Sequence, residues 1–147
     1  MTDPGYDTDF YQWTQAQAAH LRAKEWPALD VENLAEEMES LGASDRRALR
    51  SHLMRLSQHL LKWHYQPQRR GESWQQSIDN ARLQIELILE DSPSLREFLP
   101  QAFTWAYPRG RKEAVKDTGL PLATFPETCP WPLERLLEED FLPESEG

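Results

Sequence analysis

Apolar residues repeat at helical spacing through the middle of the chain, and this period constrains the fold more than any other feature. Leu49, Leu53, Leu56, Leu60 and Trp63 follow one another at intervals of four, three, four and three residues. This spacing places them on one face of an α-helix and is typical of a helical-bundle seam. The same kind of repeat returns later in the chain, at Trp74, Ile78, Ala81, Ile85 and Ile88. Because no stretch shows the alternation of a strand, we predict an all-α fold.

Caps and breakers divide the chain into six or seven predicted helices, which we expect to form a single-domain bundle over residues 1–147 with loose termini at 1–7 and 141–147. Asp7 or Thr8, Ser44, and Ser73 with Gln76 are the expected N-terminal caps of three of them. Pro108 and Gly110 predict a kink or break in the sixth helix. The predicted helices cover about 8–24, 31–41, 45–65, 74–90, a short segment after Ser92 and Pro93, 100–117 and 131–139.

Charge and cysteine content limit the possible functions. The chain has 25 acidic and 16 basic residues and a formal net charge of −9, which argues against a general binder of nucleic acid or anionic membranes. Cys129 is the single cysteine, so no internal disulfide is possible and a reducing compartment is expected. No apolar run approaches the roughly 20 residues that span a bilayer. The first ten residues lack the features of a signal peptide, so we expect a cytoplasmic protein with no membrane partner.

The charges are also segregated along the chain. Residues 25–41 contain six acids and no base, whereas residues 44–70 contain seven bases and one acid, Asp45. Gly42 is expected to end the second helix in a left-handed conformation, with only a two-residue turn before the third. Short connections make antiparallel neighbours. We therefore expect the acidic and basic helices to lie side by side, with a buried stripe on the acidic helix formed by Val31, Leu34, Ala35, Met38 and Leu41.

Short motifs along nearly the whole chain carry a family resemblance. They are formed by Tyr6, Asp9–Tyr11, Trp13, Asp30, Glu32–Leu34, Glu36–Gly42, His59–Trp63, Tyr65–Pro67, Arg69, Arg70, Ser73, Trp74, Pro126, Cys129, Pro130 and Asp140–Pro143. With these residues the chain resembles the DUF29 family, a group of bacterial proteins of unknown function, most specifically around residues 59–74. The resemblance implies an all-helical fold and a bacterial origin, and it brings no activity and no catalytic residues.

Cations and aromatic rings are interleaved in this most specific stretch, which is the candidate functional cluster. Together with Arg55, such a mixture is typical of a surface that binds nucleic-acid phosphates and stacks bases. The alternative is a structural corner, in which tryptophans act as wedges, arginines stack on them, and Gln66 and Arg70 bind backbone carbonyls. The cluster consists of His59, Lys62, Trp63, Tyr65, Gln66, Arg69, Arg70 and Trp74.

A metal site or catalytic pair is a weaker hypothesis. His52 and His59 lie two helical turns apart, about 10.5 Å, which is long for two ligands of one metal. Glu32, Glu36 or Glu39 from the second predicted helix would have to complete the site. Alternatively, Glu36 could pair with His59 for acid–base chemistry. The alternative for the histidines is a hydrogen bond to a carboxylate at a helix interface. Cys129 lies in a proline-rich loop without a nucleophile signature, and no cofactor is expected.

The sequence therefore favours a non-catalytic interaction or adaptor protein of the bacterial cytoplasm, with an unknown and possibly basic protein partner. A nucleic-acid-binding protein that uses residues 55–74 is the first alternative. A metal-dependent enzyme, with a His/Glu site between the second and third predicted helices, is the second. The oligomeric state stays open.

Overall fold

The computed structural model describes residues 5–144, and within them every regular element is helical. The all-α prediction is confirmed. The count of six to seven helices is wrong, because the described residues form five α-helices, four of them longer than two turns. They are α1 (Phe10–Arg22), α2 (Val31–Tyr65), α3 (Glu72–Asp91), α4 (Leu99–Thr118) and α5 (Leu133–Leu136). Short 3-10 helices lie between them at Trp26–Ala28, Pro67–Arg69, Pro93–Phe98 and Leu122–Thr124.

The long helix α2 replaces two of the predicted helices. It runs through Gly42 and Ser44 without a turn, so neither residue ends or caps a helix. Glycine tolerates a left-handed stop but does not impose one, and its cost of about 1 kcal/mol inside a helix is small beside the helix-forming residues around it. Most of the acidic segment and most of the basic segment are therefore successive parts of one helix. The expectation that they lie side by side and neutralise each other is wrong.

Contacts divide the chain into two compact units, residues 1–44 and 45–147, and α2 begins in the first and ends in the second. The first unit is organised around Trp13, which is only 3% exposed. Its indole Nε1 donates a hydrogen bond of 2.9 Å to Asp30, which also accepts one of 2.8 Å from Asn33. Tyr6 and Phe10 pack against the Trp13 ring.

Two expectations for the first unit are wrong. Helix α1 is capped by Asp9, whose carboxylate accepts from the backbone N–H of Gln12 at 3.1 Å, rather than by Asp7 or Thr8. The apolar stripe predicted on the acidic segment is also not buried. Its residues Val31, Met38 and Leu41 are 62%, 67% and 63% exposed, respectively.

The second unit contains the main hydrophobic core, and here the predicted seam is confirmed. The four leucines of the seam on α2 have no exposed surface and pack with side chains from α3, α4 and α5. Leu83 and Leu87 on α3 are exposed and lie outside this core. The buried residues of this core are Leu49, Leu53, Leu56, Leu60, Ile78, Ala81, Ile85, Leu89, Leu99, Ala102, Ala106 and Leu136.

Helix ends in the second unit follow the sequence only in part. Helix α3 begins at Glu72 after Gly71, so the expected cap by Ser73 with Gln76 does not form. The segment after Ser92 is a 3-10 helix rather than an α-helix. Helix α4 continues through Pro108 without a break, because the exposed position of Pro108 lets water take the place of the missing backbone donor. Gly119 ends α4 in the left-handed conformation, with φ of 74°.

Helices α2 and α4 touch at Gly110. A Cβ atom at this position would lie 2.6 Å from the backbone oxygen of Met54, closer than real atoms approach. Glycine is therefore required for this crossing. Of the predicted loose termini, residues 1–4 and 145–147 lie outside the described part of the chain. No helix within residues 5–144 has both the length and the apolar character needed to cross a bilayer.

Candidate functional site

Lys62, a member of the candidate functional cluster, has an internal role in the fold. Its side chain is buried, and its Nζ atom donates to the Asp117 carboxylate on α4 at 3.0 Å. The same ammonium lies 4.8 Å from the centre of the Trp74 ring at the start of α3. Burial alone would raise the pKa of Asp117, but the hydrogen bonds from Lys62 and Gln58, together with the positive charge of Lys62, lower it overall. Lys62 thus joins three helices and is not a free surface cation.

Arg70 holds the corner between α2 and α3. Its Nε atom donates to the backbone oxygen of Trp63 at 2.7 Å, and its guanidinium lies 5.2 Å from the centre of the Trp63 ring. A longer bond of 3.4 Å reaches the backbone oxygen of Pro143 near the end of the described chain. One arginine therefore binds both the end of α2 and the C-terminal segment.

The remaining members of the cluster are divided between interior and surface. Gln66 is buried, and the Tyr65 ring meets the buried Phe125 ring edge to face at 5.4 Å. Arg69 in the following 3-10 helix is exposed, and its side chain makes no hydrogen bond or ion pair with the described residues. The structure thus brings the cluster together as a packed corner, and Arg69 is the cation in it that faces solvent.

Burial determines the hydrogen bonding and the protonation of His59. The Nδ1 atom of His59 is buried without a hydrogen-bond partner, so the expected bond to a carboxylate is not formed. Burial, with Lys62 nearby, lowers the pKa of His59 to about 4, and burial also lowers the pKa of His52. His59 is therefore neutral at physiological pH.

A groove that sequence reasoning missed lies between α3 and the segment that follows α5. It has a volume of about 790 Å³. Four carboxylates and two guanidiniums line it, together with leucines, among which Leu83 is 48% exposed. The groove is therefore acidic and partly apolar. Its lining residues are Gln75, Asp79, Arg82, Leu83, Ile85, Glu86, Leu89, Arg96, Leu137, Glu139, Asp140 and Leu142.

Arg82 builds one wall of this groove. It is buried and donates to three backbone oxygens, those of Leu136 at 2.8 Å, Glu139 at 3.1 Å and Phe141 at 2.7 Å. Burial lowers the pKa of Arg82, while Asp79 and Asp140 oppose that shift. Because arginine stays protonated at any ordinary pH, Arg82 fixes the C-terminal segment against α3.

The sequence did contain a signal for this wall. Arg82 falls on the buried face of α3, at helical spacing between Ile78, Ile85 and Leu89. A charged residue at a core position needs hydrogen-bond partners, and backbone carbonyls of an irregular segment supply them. The position of the arginine could therefore have predicted a docked segment, although not which segment it is.

A family model whose description is "Domain of unknown function DUF29" matches residues 6–142. The chain belongs to the DUF29 family. Neither the search of curated proteins nor the search of solved structures gave a match. The resemblance inferred from the sequence is confirmed, and its most specific stretch is the part of this DUF29 chain that forms the corner held by Lys62 and Arg70.

The metal hypothesis for this DUF29 protein placed Glu36 beside His52 and His59 by means of a turn at Gly42. That turn does not exist, because α2 is continuous from Val31 to Tyr65. Within residues 5–144, no group of three or more histidine, cysteine, aspartate or glutamate side chains is arranged to hold a metal ion.

Cys129, the other chemically reactive candidate, is partly buried against the core. Burial raises the pKa of its thiol to about 11. Only a small fraction of the nucleophilic thiolate is therefore present at neutral pH. The thiol packs as a small apolar side chain against the buried cluster that contains Phe125.

Proposed function

We propose that this DUF29 protein is a non-catalytic interaction protein of the bacterial cytoplasm, and that the groove between α3 and the C-terminal segment binds a basic, partly apolar segment of a protein partner. The groove itself is the observation that supports this proposal. Asp79, Glu86, Glu139 and Asp140 supply negative charge, and exposed leucine surface lies between them. A partner segment with both lysine or arginine and apolar residues would complement both properties.

The two guanidiniums do not cancel this preference. Arg82 is engaged by three backbone oxygens, so its N–H groups are directed into the protein wall. Arg96 is left to oppose four carboxylates across the groove. A basic segment entering the groove would therefore meet a surplus of negative charge, which speeds association and selects against acidic partners.

The geometry gives less support to nucleic-acid binding through residues 55–74. A phosphate-binding surface needs free cations and exposed ring faces. In this corner Lys62 is bound to Asp117, and Arg70 covers Trp63. Arg55 and Arg69 are exposed, but the rings between them pack within the fold.

A peptide-binding measurement tests the proposal. The probe is a fluorescein-labelled amphipathic peptide of lysine and leucine, followed by fluorescence anisotropy, with a glutamate–leucine peptide of equal length for comparison. We expect the basic peptide to bind and the acidic peptide not to bind. Glu86→Lys combined with Glu139→Lys should weaken binding about tenfold or more, since it reverses two charges at the groove.

The matched control is Glu127→Lys combined with Glu134→Lys. These exposed carboxylates lie outside the groove, and replacing them changes the net charge by the same amount. The control should bind the basic peptide almost as well as the unmodified protein. Equal loss in both double variants would attribute binding to net charge alone, and absence of binding to the unmodified protein would remove the proposal.

A further inference from the structure

A positively charged surface, separate from the acidic groove, lies on α2 and α4 within residues 45–147. Arg46 and Arg50 project from α2, and Arg109 projects from α4 next to the tight crossing at Gly110. The guanidinium of Arg46 lies 5.6 Å from the centre of the Phe98 ring. Those of Arg50 and Arg109 lie 5.1 and 4.1 Å from the centre of the Trp105 ring. We call these three arginines with their two rings the arginine patch.

The fold brings these arginines close despite their mutual repulsion. Gly110 allows the backbones of α2 and α4 to touch at Met54, one turn beyond Arg50. Arg109 directly precedes Gly110. The helix crossing therefore brings the guanidiniums of both Arg50 and Arg109 against the Trp105 ring. Like charges held together in this way cost free energy unless an anion compensates them.

No carboxylate of the described residues supplies that compensation. The ion pairs within residues 5–144 do not include Arg46, Arg50 or Arg109. Glu113, one turn after Arg109, pairs with Lys116 at 3.1 Å. The Nε atom of Arg50 is buried without a hydrogen-bond partner. Three arginines without a carboxylate partner therefore share this surface.

The geometry also indicates which kind of anion fits. The Nη1 atom of Arg109 donates to the backbone oxygen of Trp105 at 2.8 Å, and its other N–H groups have no partner among the described residues. A fork of two parallel N–H groups on a guanidinium matches phosphate oxygens. Guanidiniums already cover Trp105, so nucleobases cannot stack on it as they do in single-strand binders. The patch is therefore suited to phosphate groups rather than to bases.

The size of the anion follows from the overall charge. A long polyanion would extend beyond the patch onto a protein of net charge −9 and be repelled. At physiological salt, charge is screened over about 8 Å, so a compact ligand would sense mainly the local arginines. We propose that the arginine patch binds a small anion with two or more linked phosphate groups. This inference concerns a different surface from the acidic groove and does not depend on it.

Isothermal titration with inorganic tripolyphosphate tests this site. The unmodified protein should bind the anion, and Arg50→Gln combined with Arg109→Gln should weaken binding about tenfold or more, because two charge-assisted contacts are lost. Arg55→Gln combined with Arg69→Gln removes the same charge from exposed positions outside the patch and should change affinity less than about twofold. Melting curves of both variants establish that they are folded.

A third variant separates the role of the planar guanidinium from that of charge and from loss of folding. Arg50→Lys combined with Arg109→Lys keeps both charges but removes the planar forks, and it should also bind more weakly than the unmodified protein. Full affinity in the lysine variant, or equal affinity in the two glutamine variants, would overturn the proposal. So would an unmodified protein that binds no tripolyphosphate, or one that binds a 20-nucleotide single-stranded DNA more tightly through the same arginines.

Discussion

Arg69 and Arg70 are adjacent in the sequence but have different roles in the structure. Arg70 donates to the backbone oxygens of Trp63 and Pro143 and stacks on the Trp63 ring, whereas Arg69 is exposed. Arg70→Ala should lower the free energy of unfolding by about 1–3 kcal/mol, since it leaves two partly buried carbonyl groups without these donors. Arg69→Ala should change it by less than about 0.5 kcal/mol.

Urea unfolding of the two alanine variants measures this difference. A nucleic-acid surface formed by both arginines would instead make the two substitutions alike in stability, with their effects confined to binding. Similar, small losses of stability for both variants would therefore show that the corner is not held by Arg70.

His59 gives the fold a pH dependence with a defined sign. Its pKa is about 4 in the folded protein, below the ordinary value of 6.5 because of burial. Between these two values the unfolded chain binds more protons than the folded one, so stability falls as pH drops from about 6.5 towards 4. The loss is complete only below the folded pKa.

His59→Gln should reduce this loss. Urea unfolding at pH 7 and pH 5 should show a smaller drop in stability for the variant than for the unmodified protein. His52, whose pKa burial also lowers, leaves part of the slope in place. Parallel pH profiles for the two proteins would mean that folding does not change the pKa of His59.

At the scale of elements, apolar spacing predicts a helix and its buried face correctly when that face packs against neighbouring helices. The seam from Leu49 to Leu60 was recognised because burial on one side fixes a period of three and four. The acidic half of α2 has apolar residues at similar spacing, yet Met38 and Leu41 are exposed, because a period shows only that a face could be buried. Tertiary contacts decide whether it is.

Glycine and proline predict the ends of helices less reliably than apolar spacing predicts the buried face. Glycine fits a helix interior, a turn or a left-handed cap, so Gly42 and Gly119 look alike in the sequence although one lies inside α2 and the other ends α4. Pro108 is tolerated in α4 because it lies on an exposed face. The choice between these outcomes depends on what surrounds each residue in the fold.

Two glycines in helices provide a paired test of this account. A Cβ at Gly110 would collide with the backbone of α2, whereas a Cβ at Gly42 would meet nothing within 4 Å. Gly110→Ala should therefore destabilise the protein by about 1–3 kcal/mol, as in an overpacked core. Gly42→Ala should stabilise it by about 0.5–1 kcal/mol through higher helix propensity.

Thermal unfolding of both alanine variants distinguishes the possible arrangements. A turn at Gly42 with a left-handed backbone would make Gly42→Ala destabilising. A tolerated Gly110→Ala would mean that α2 and α4 do not cross closely at Met54. Opposite signs for the two substitutions are expected only for a continuous α2 with a tight crossing at Gly110.

At the scale of the whole molecule, the fold class and the family were accessible from the sequence, whereas the candidate site was not. The cluster around His59 and Trp74 drew attention because cations and rings coincide there, but a buried Lys62 and a stacked Arg70 give the same composition as an exposed surface. The acidic groove exists because Arg82 binds backbone oxygens of residues that lie more than 50 positions later in the chain. Residue types and spacing do not encode such a contact.

The central claim is that partners engage the groove beside α3 rather than the corner at residues 59–74. Backbone amide NMR spectra recorded during titration with the lysine–leucine peptide test it directly. We predict shift changes concentrated at residues 75–89 and 137–142, with little change at 59–74. Shift changes confined to residues 59–74, with none along the groove, would contradict the account.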